Sequence, residues 1–217
     1  AGTTAQFPCP MEAAPAGYFF FRVAVKGLTG GHSGDDINKG RANANKVLNR
    51  YLVQLMNRYD LRLCEIDGGN LHNAIPREAH AVCAVPMEYK EAVRVDLNVF
   101  LAEVENEYAV TEPKLTMELE SETPCAEVME KEAMKRFLLS IYAVHNGVYA
   151  MSQDMPGLVE TSSNLASIKM RDGKIIVGTS QRSSILSSRK DMSQMIRAAF
   201  ELGGAETTTG DGYPGWK

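Results

Sequence analysis

The sequence predicts an α+β fold: a ferredoxin-like β-α-β-β-α-β unit followed by a second α-β-β-α part, an antiparallel sheet with helices on one face. Three observations carry this prediction. Tyr18 to Val25 is dense in aromatic and β-branched residues, as strands are. Apolar positions at 44, 48, 51, 52 and 55, and again at 93, 97, 101, 104 and 108, keep the spacing of one helix face. Leu115, Met117 and Leu119 alternate with Thr116, Glu118 and Glu120, the mark of a strand with one buried and one wet face.

The elements follow in order. After the strand at Tyr18, the spacing predicts a helix over Ile37 to Tyr59 with Asp36 as its N-cap. Leu61 to Ile66 and Ala79 to Val85 read as strands, connected through the Gly68-Gly69 turn and Pro76. The second helix and the alternating strand complete the first unit. Beyond Pro124, Val128 to Tyr142 reads as a helix. Ser163 to Met170 and Lys174 to Ser180 form a hairpin across Arg171-Asp-Gly-Lys174, where Asp-Gly is a strong turn signal. Met192, Ile196, Ala199 and Gly203 mark a last helix, with room for a short strand at Ala205 to Thr209. The second half shows no clear opening strand, and the sequence leaves open whether it is a degenerate copy of the first.

At 217 residues the chain is long enough to bury a sizeable core. With 44% hydrophobic and 23% charged residues, it has the composition of an ordinary globular protein. Net charge is −4 and no run of five or six basic residues occurs, which argues against nucleic acid or an anionic membrane as the main partner. No apolar segment approaches the roughly 18 to 20 residues of a membrane span, and no charged start precedes an apolar signal region. The cysteines at 9, 64, 83 and 125 form no Cys-x-x-Cys pair, and Cys64 and Cys83 lie in strand-like apolar runs. Reduced thiols in a cytoplasmic protein are expected. The chain begins at Ala1 and stops at Lys217 just after a turn, so a domain from a longer enzyme is expected.

One stretch concentrates the chemistry: Lys26-Gly-Leu-Thr-Gly-Gly-His-Ser-Gly-Asp-Asp36 leads off the apolar strand toward the helix. Its glycines permit positive φ and close backbone approach, and its histidine can donate or accept a proton near neutral pH. By residue type alone, His32 reads as a turn histidine bonding locally, Arg182 as a solvent-exposed cation, and Asn73 as a turn residue beside Pro76. A metal site within the chain is not indicated. There are four histidines, no His-x-Asp with paired glutamates, and Asp35 and Asp36 suit a helix N-terminus.

The wording of this turn resembles the lid domain of the Xaa-His (aminoacylhistidine) dipeptidases, in the di-zinc peptidase family that also contains carnosinases, tripeptidases and glutamate carboxypeptidases. Four further stretches carry the same resemblance in the same order. They are Gly68-Gly-Asn-Leu-His-Asn-Ala-Ile-Pro-Arg-Glu-Ala79, Pro156-Gly-Leu-Val-Glu-Thr-Ser-Ser-Asn-Leu165, Gln181-Arg-Ser-Ser184 and Tyr213-Pro-Gly-Trp216. The resemblance implies a lid (dimerisation) domain over residues 18–210. Residues 1–17 would be a hinge from, and 211–217 a return linker to, a catalytic domain outside this chain. That domain would hold two zinc ions, and this chain alone is expected to hydrolyse nothing.

The resemblance also implies roles. His32 would support the oxyanion formed as a short peptide is cleaved, Arg182 would grip the peptide's terminal carboxylate, and Asn73 would contact substrate. The partners implied are a short peptide, the chain's own catalytic domain and a second copy in a homodimer. In such dimers two lids pair through an edge strand and helix, sending each histidine to the partner's site; a true internal copy would keep it in its own subunit. The alternative from another class is a stand-alone ferredoxin-like amino-acid-binding regulatory module, since this architecture hosts many functions.

Overall fold

A computed structural model of the protein describes residues 1–210. The Tyr213 to Trp216 motif and the expected return linker at 211–217 lie outside the described residues. Thirteen strands and four α-helices occur among those described. In chain order they are β1 (Gly2–Pro8), β2 (Met11–Ala13), β3 (Tyr18–Lys26), β4 (Gly31–His32), α1 (Ala44–Arg58), β5 (Arg62–Gly68), β6 (Ala74–Ile75), β7 (Ala79–Pro86), α2 (Lys90–Glu107), β8 (Thr116–Ser121), β9 (Glu127–Met129), α3 (Lys131–Ala143), β10 (Gly147–Met151), β11 (Val159–Arg171), β12 (Lys174–Ser183), α4 (Leu186–Leu202) and β13 (Glu206–Gly210). The main sheet runs β13-β1-β12-β11-β5-β7-β3-β8, with β10 added to β11.

The strand period of two sorts each strand's side chains between the faces. Phe19, Phe21, Val23 and Val25 of β3 join Leu63, Cys83, Ile175 and Val177 in one buried cluster beneath residues from all four helices, including Tyr51, Phe100, Phe137 and Phe200. On the opposite face Phe20, Cys64, Val82, Ala84 and Val128 form a smaller cluster, covered by the paired strands β2 and β9. The α+β class with helices over one face of an antiparallel sheet is therefore the observed one.

Two helix starts expected from the sequence are corrected. The helix predicted from Ile37 starts at Ala44 with Asn43 as its cap, whose side chain accepts from the backbone N–H groups of Asn45 and Lys46 at 3.0 and 3.3 Å. Asp36 cannot cap it, because its carboxylate accepts the His32 N–H at 2.8 Å, and Gly40 at φ +70° breaks the helical run. The helix predicted from Val128 starts at Lys131; residues 127–129 pair with β2, and Glu130 caps α3 through the N–H groups of Glu132 and Ala133.

Residues 1–17, expected to be a hinge, instead supply β2 and the interior strand β1, paired with β12 on one side and β13 on the other. This strand resolves the missing opening of the second half. The first unit, β3-α1-β5-β7-α2-β8, lies in the sheet as β5-β7-β3-β8. With β1 as its first strand, the second unit β1-α3-β11-β12-α4-β13 lies as β11-β12-β1-β13, the same relative order. The first unit is thus inserted between β1 and α3 of the second. The two meet through like elements, β5 antiparallel to β11 and α1 against α3, as a two-fold rotation would arrange them.

The shared ladder is short, with Ile168 opposite Gly68 and Lys169 opposite Asp67. Polar side chains extend it. Asn43 donates to Leu165 O at 2.9 Å, Asn49 to Leu138 O at 3.1 Å, and Lys169 to Asp67 and Asn70 at 2.8 and 2.9 Å. Lys46 of α1 donates to the carbonyls of Ile141, Tyr142 and Val144 at 2.8–3.0 Å, capping α3. Burial pushes its amine down to about 8.

At the seam the chain passes closely enough to require glycine. Gly69 has φ +76°, and a Cβ there would lie 1.9 Å from Ala166 O on β11. Gly69→Ala should therefore lower the unfolding free energy by about 2–4 kcal/mol through overlap and left-handed strain combined. Urea denaturation followed by circular dichroism measures it; a loss below about 0.5 kcal/mol would contradict the close approach.

Candidate functional site

The glycine-rich turn after β3 is folded around Asp36. Its carboxylate accepts the His32 N–H at 2.8 Å and bonds Lys39 Nζ at 2.6 Å, with Arg41 3.5 Å away. The Lys39 ammonium and then the His32 amide hold this carboxyl down to about 2, so it is ionised across the physiological range. Arg41 also donates to Gly30 O at 2.7 Å. The turn is thus tied by charge-assisted bonds rather than by apolar packing.

These ties orient His32. Its Nδ1 accepts the backbone N–H groups of Gly34 at 3.0 Å and Asp35 at 3.2 Å. Two donors at Nδ1 place the lone pair there, so the neutral ring carries its proton on Nε2. Among the described residues Nε2 has no partner, and the side chain is 39% exposed. The result is an oriented imidazole N–H donor.

The other two expected residues come to the same corner. β4 pairs with β6, setting His32 opposite Ala74, and the Ser33 N–H bonds the Asn73 carbonyl at 2.9 Å. Buried Asn164 of β11 fixes this pair by donating to Ala74 O at 2.9 Å. Asn73 contributes its backbone to the corner while its side chain is exposed. Arg182 of β12 reaches over the turn, with Nη2 3.4 Å from Ser33 Oγ. Its guanidinium packs close over Gly34, where an added Cβ would lie 3.0 Å from Nη1 and would have to displace the arginine by a few tenths of an ångström. Arg182 makes no ion pair among the described residues.

Arg182 is positioned from beneath. Buried Gln181 accepts from Thr3 Oγ1 at 2.9 Å and Ser193 Oγ at 3.3 Å, and donates to Thr179 Oγ1 at 2.7 Å and Ser163 Oγ at 3.3 Å. With its amide fully bonded, Gln181 locks β1, β11, β12 and α4 together under the arginine. A cleft of about 420 Å³ opens beside it, lined by Gly34, Asp35, Leu158, Glu160, Ser162 and Ser183 among others.

Two of the other histidines bond elsewhere. His80 faces Glu65 at 3.4 Å, and His145 bonds Gly147 O. Among the described residues no three His, Cys, Asp or Glu side chains converge as metal ligands. Sequence reasoning missed Asp36 as the organiser of the His32 turn, because an acid before a predicted helix reads first as a cap. It also passed over Glu160 and Ser162, ordinary strand residues until β12 brings Arg182 beside them.

Residues 23–112 match the family model described as the peptidase dimerisation domain. The chain carries an M20 peptidase dimerisation domain. It is 36% identical over 206 residues to the cytosol non-specific dipeptidase of Escherichia coli strain K12, covering 95% of this chain and 42% of that protein. The structure is similar to aminoacylhistidine dipeptidase from Vibrio alginolyticus, with a TM-score of 0.96 and 36% identity over 100% of this chain and 44% of that one. The chain thus spans less than half the length of these two relatives.

Within this dimerisation domain the His32 geometry makes a direct prediction. Nitrogen NMR of the chain with a neutral ring should show the Nε2–H tautomer for His32, with Nδ1 as the unprotonated nitrogen. A predominant Nδ1–H signal would contradict the two backbone bonds.

Proposed function

We propose that the domain is the lid of a cytoplasmic, zinc-dependent dipeptidase acting on Xaa-His and related dipeptides. The observation that supports this reading is the corner shared by His32, whose Nε2 has no partner among the described residues, and Arg182, which forms no ion pair among them, beside a cleft of about 420 Å³. An arginine fork matches the two oxygens of a terminal carboxylate. An oriented imidazole N–H matches the negative charge that develops on a peptide oxygen during cleavage. Asn73 borders the same corner and is the third residue proposed to contact the peptide.

The described residues do not fit a metal centre, so none of these steps runs through a metal held by this chain. Zinc, which would activate water when bound, is assigned to the part of the dipeptidase outside this chain. What these residues contribute is binding, orientation and hydrogen-bond donation.

In the parent dipeptidase, Arg182→Ala should chiefly raise KM, and His32→Ala should chiefly lower kcat by about 10²- to 10³-fold. A carboxylate clamp acts on ground and transition states alike, whereas an oxyanion donor acts on the latter. Steady-state kinetics on one dipeptide separates the two, and an unchanged kcat for His32→Ala would overturn its role.

The dimerisation domain suggests a homodimer of the parent. The strand-and-helix pairing expected between two lids is, however, already made within one chain by β5 with β11 and α1 with α3. We therefore infer that His32 serves its own subunit, and that any dimer uses an outer edge such as β8. Mixing a His32→Ala parent with one disabled in its catalytic domain should restore no activity after verified subunit exchange. Recovered activity would place the histidine in trans.

A further inference from the structure

Resting on the reading that Arg182 receives the peptide's carboxylate, we propose that Glu160 selects peptides whose C-terminal residue bears a basic side chain. The register of β11 and β12 sets Ser162 opposite Arg182 and Thr161 opposite Ser183, and Ser184 N bonds Glu160 O at 3.0 Å to continue the ladder. Glu160 is therefore the diagonal neighbour of Arg182 on the same face of the hairpin. Such neighbours stand about 7–8 Å apart. They line one cleft without neutralising each other.

Among the described residues neither charge is met by an opposite one. Among the described residues Glu160 forms no ion pair, and its carboxylate accepts only from Thr161 Oγ1, at 3.3 Å. Arg182 has only the long contact to Ser33. A cation and an anion held apart on one wall are complementary to an amino acid with a free carboxylate and a positive side-chain terminus. A lysine or arginine residue could meet both at once, its carboxylate at Arg182 and its side-chain cation at Glu160. Leu158, on the same cleft, offers an apolar surface for such a stem while its head reaches the acid. Asp35, 91% exposed on the His32 turn, adds a second negative charge to the lining.

The test compares kcat/KM of the parent dipeptidase for alanyl-lysine and alanyl-norleucine, which differ in the ammonium group. The natural enzyme should favour the lysine peptide by about tenfold, as a partly desolvated charge pair provides. Glu160→Gln should bring the ratio close to one, and Glu160→Lys should invert it. A natural enzyme without the preference, a ratio unchanged by Glu160→Gln, or an equal fall on both peptides would each overturn the proposal. Arg182→Ala run alongside separates the two levels. Losses on both peptides with the ratio kept support the carboxylate reading on its own. If Arg182→Ala leaves both peptides untouched, that reading fails and the selection by Glu160 fails with it.

Discussion

The candidate site depends on the seam between the two units of the sheet. His32 and Asn73 come from loops of the first unit, whereas Arg182 and Glu160 stand on a hairpin of the second. They share a corner only because β5 and β11 are held in one register. Two ladder pairs are a slender joint, so the seam relies on side chains. Asn43, the cap of α1, and Asn45, Lys46 and Asn49 on the helix all donate to carbonyls at or across it. Each such bond contributes about 1 kcal/mol net, but leaving a buried partner unpaired costs more than that. The seam is consequently specific rather than merely adhesive: a slip by one residue would orphan most of these groups at once.

A second layer of constraint acts within the His32 turn. A loop with few apolar residues cannot be fixed by packing, and here it is fixed by a carboxylate. Asp36 collects one backbone N–H and two cationic side chains, and the backbone it shapes then directs two amides at His32 Nδ1. Among the described residues no side chain bonds Nε2, which leaves that atom available. Donors arranged before a reaction cost no reorganisation during it, which is the property that the role proposed for His32 would draw on.

Insertion of one unit into another also explains why β1 matters. A strand from the first residues of the chain lies between β12 and β13, where Thr3 helps complete the bonds of Gln181 beneath Arg182. Chain segments some 178 positions apart therefore meet at the strand that carries Arg182. The polar network is buried and fully bonded, which gives it geometric definition that an apolar patch of similar size would lack.

The sequence by itself determined the α+β class, both long helical faces, the Asp-Gly hairpin and the outline of the first unit. These follow from local periodicity and turn chemistry, which neighbouring residues decide among themselves. It also singled out His32, Asn73 and Arg182, through motifs whose resemblance extends over most of the chain. Only the tertiary structure decided that residues 1–17 contain a sheet strand, because Gly2 to Pro8 carries a weak strand signal and gains its place from β12 and β13. Only it moved the start of α1 from Asp36 to Asn43, since the contest for Asp36 is settled by His32, Lys39 and Arg41 in space. The second unit's likeness to the first was invisible for the same reason: its opening strand is separated from the rest by the whole inserted unit. Glu160 became notable only when β12 placed Arg182 diagonally beside it, a relation between strands that no local pattern of residues encodes.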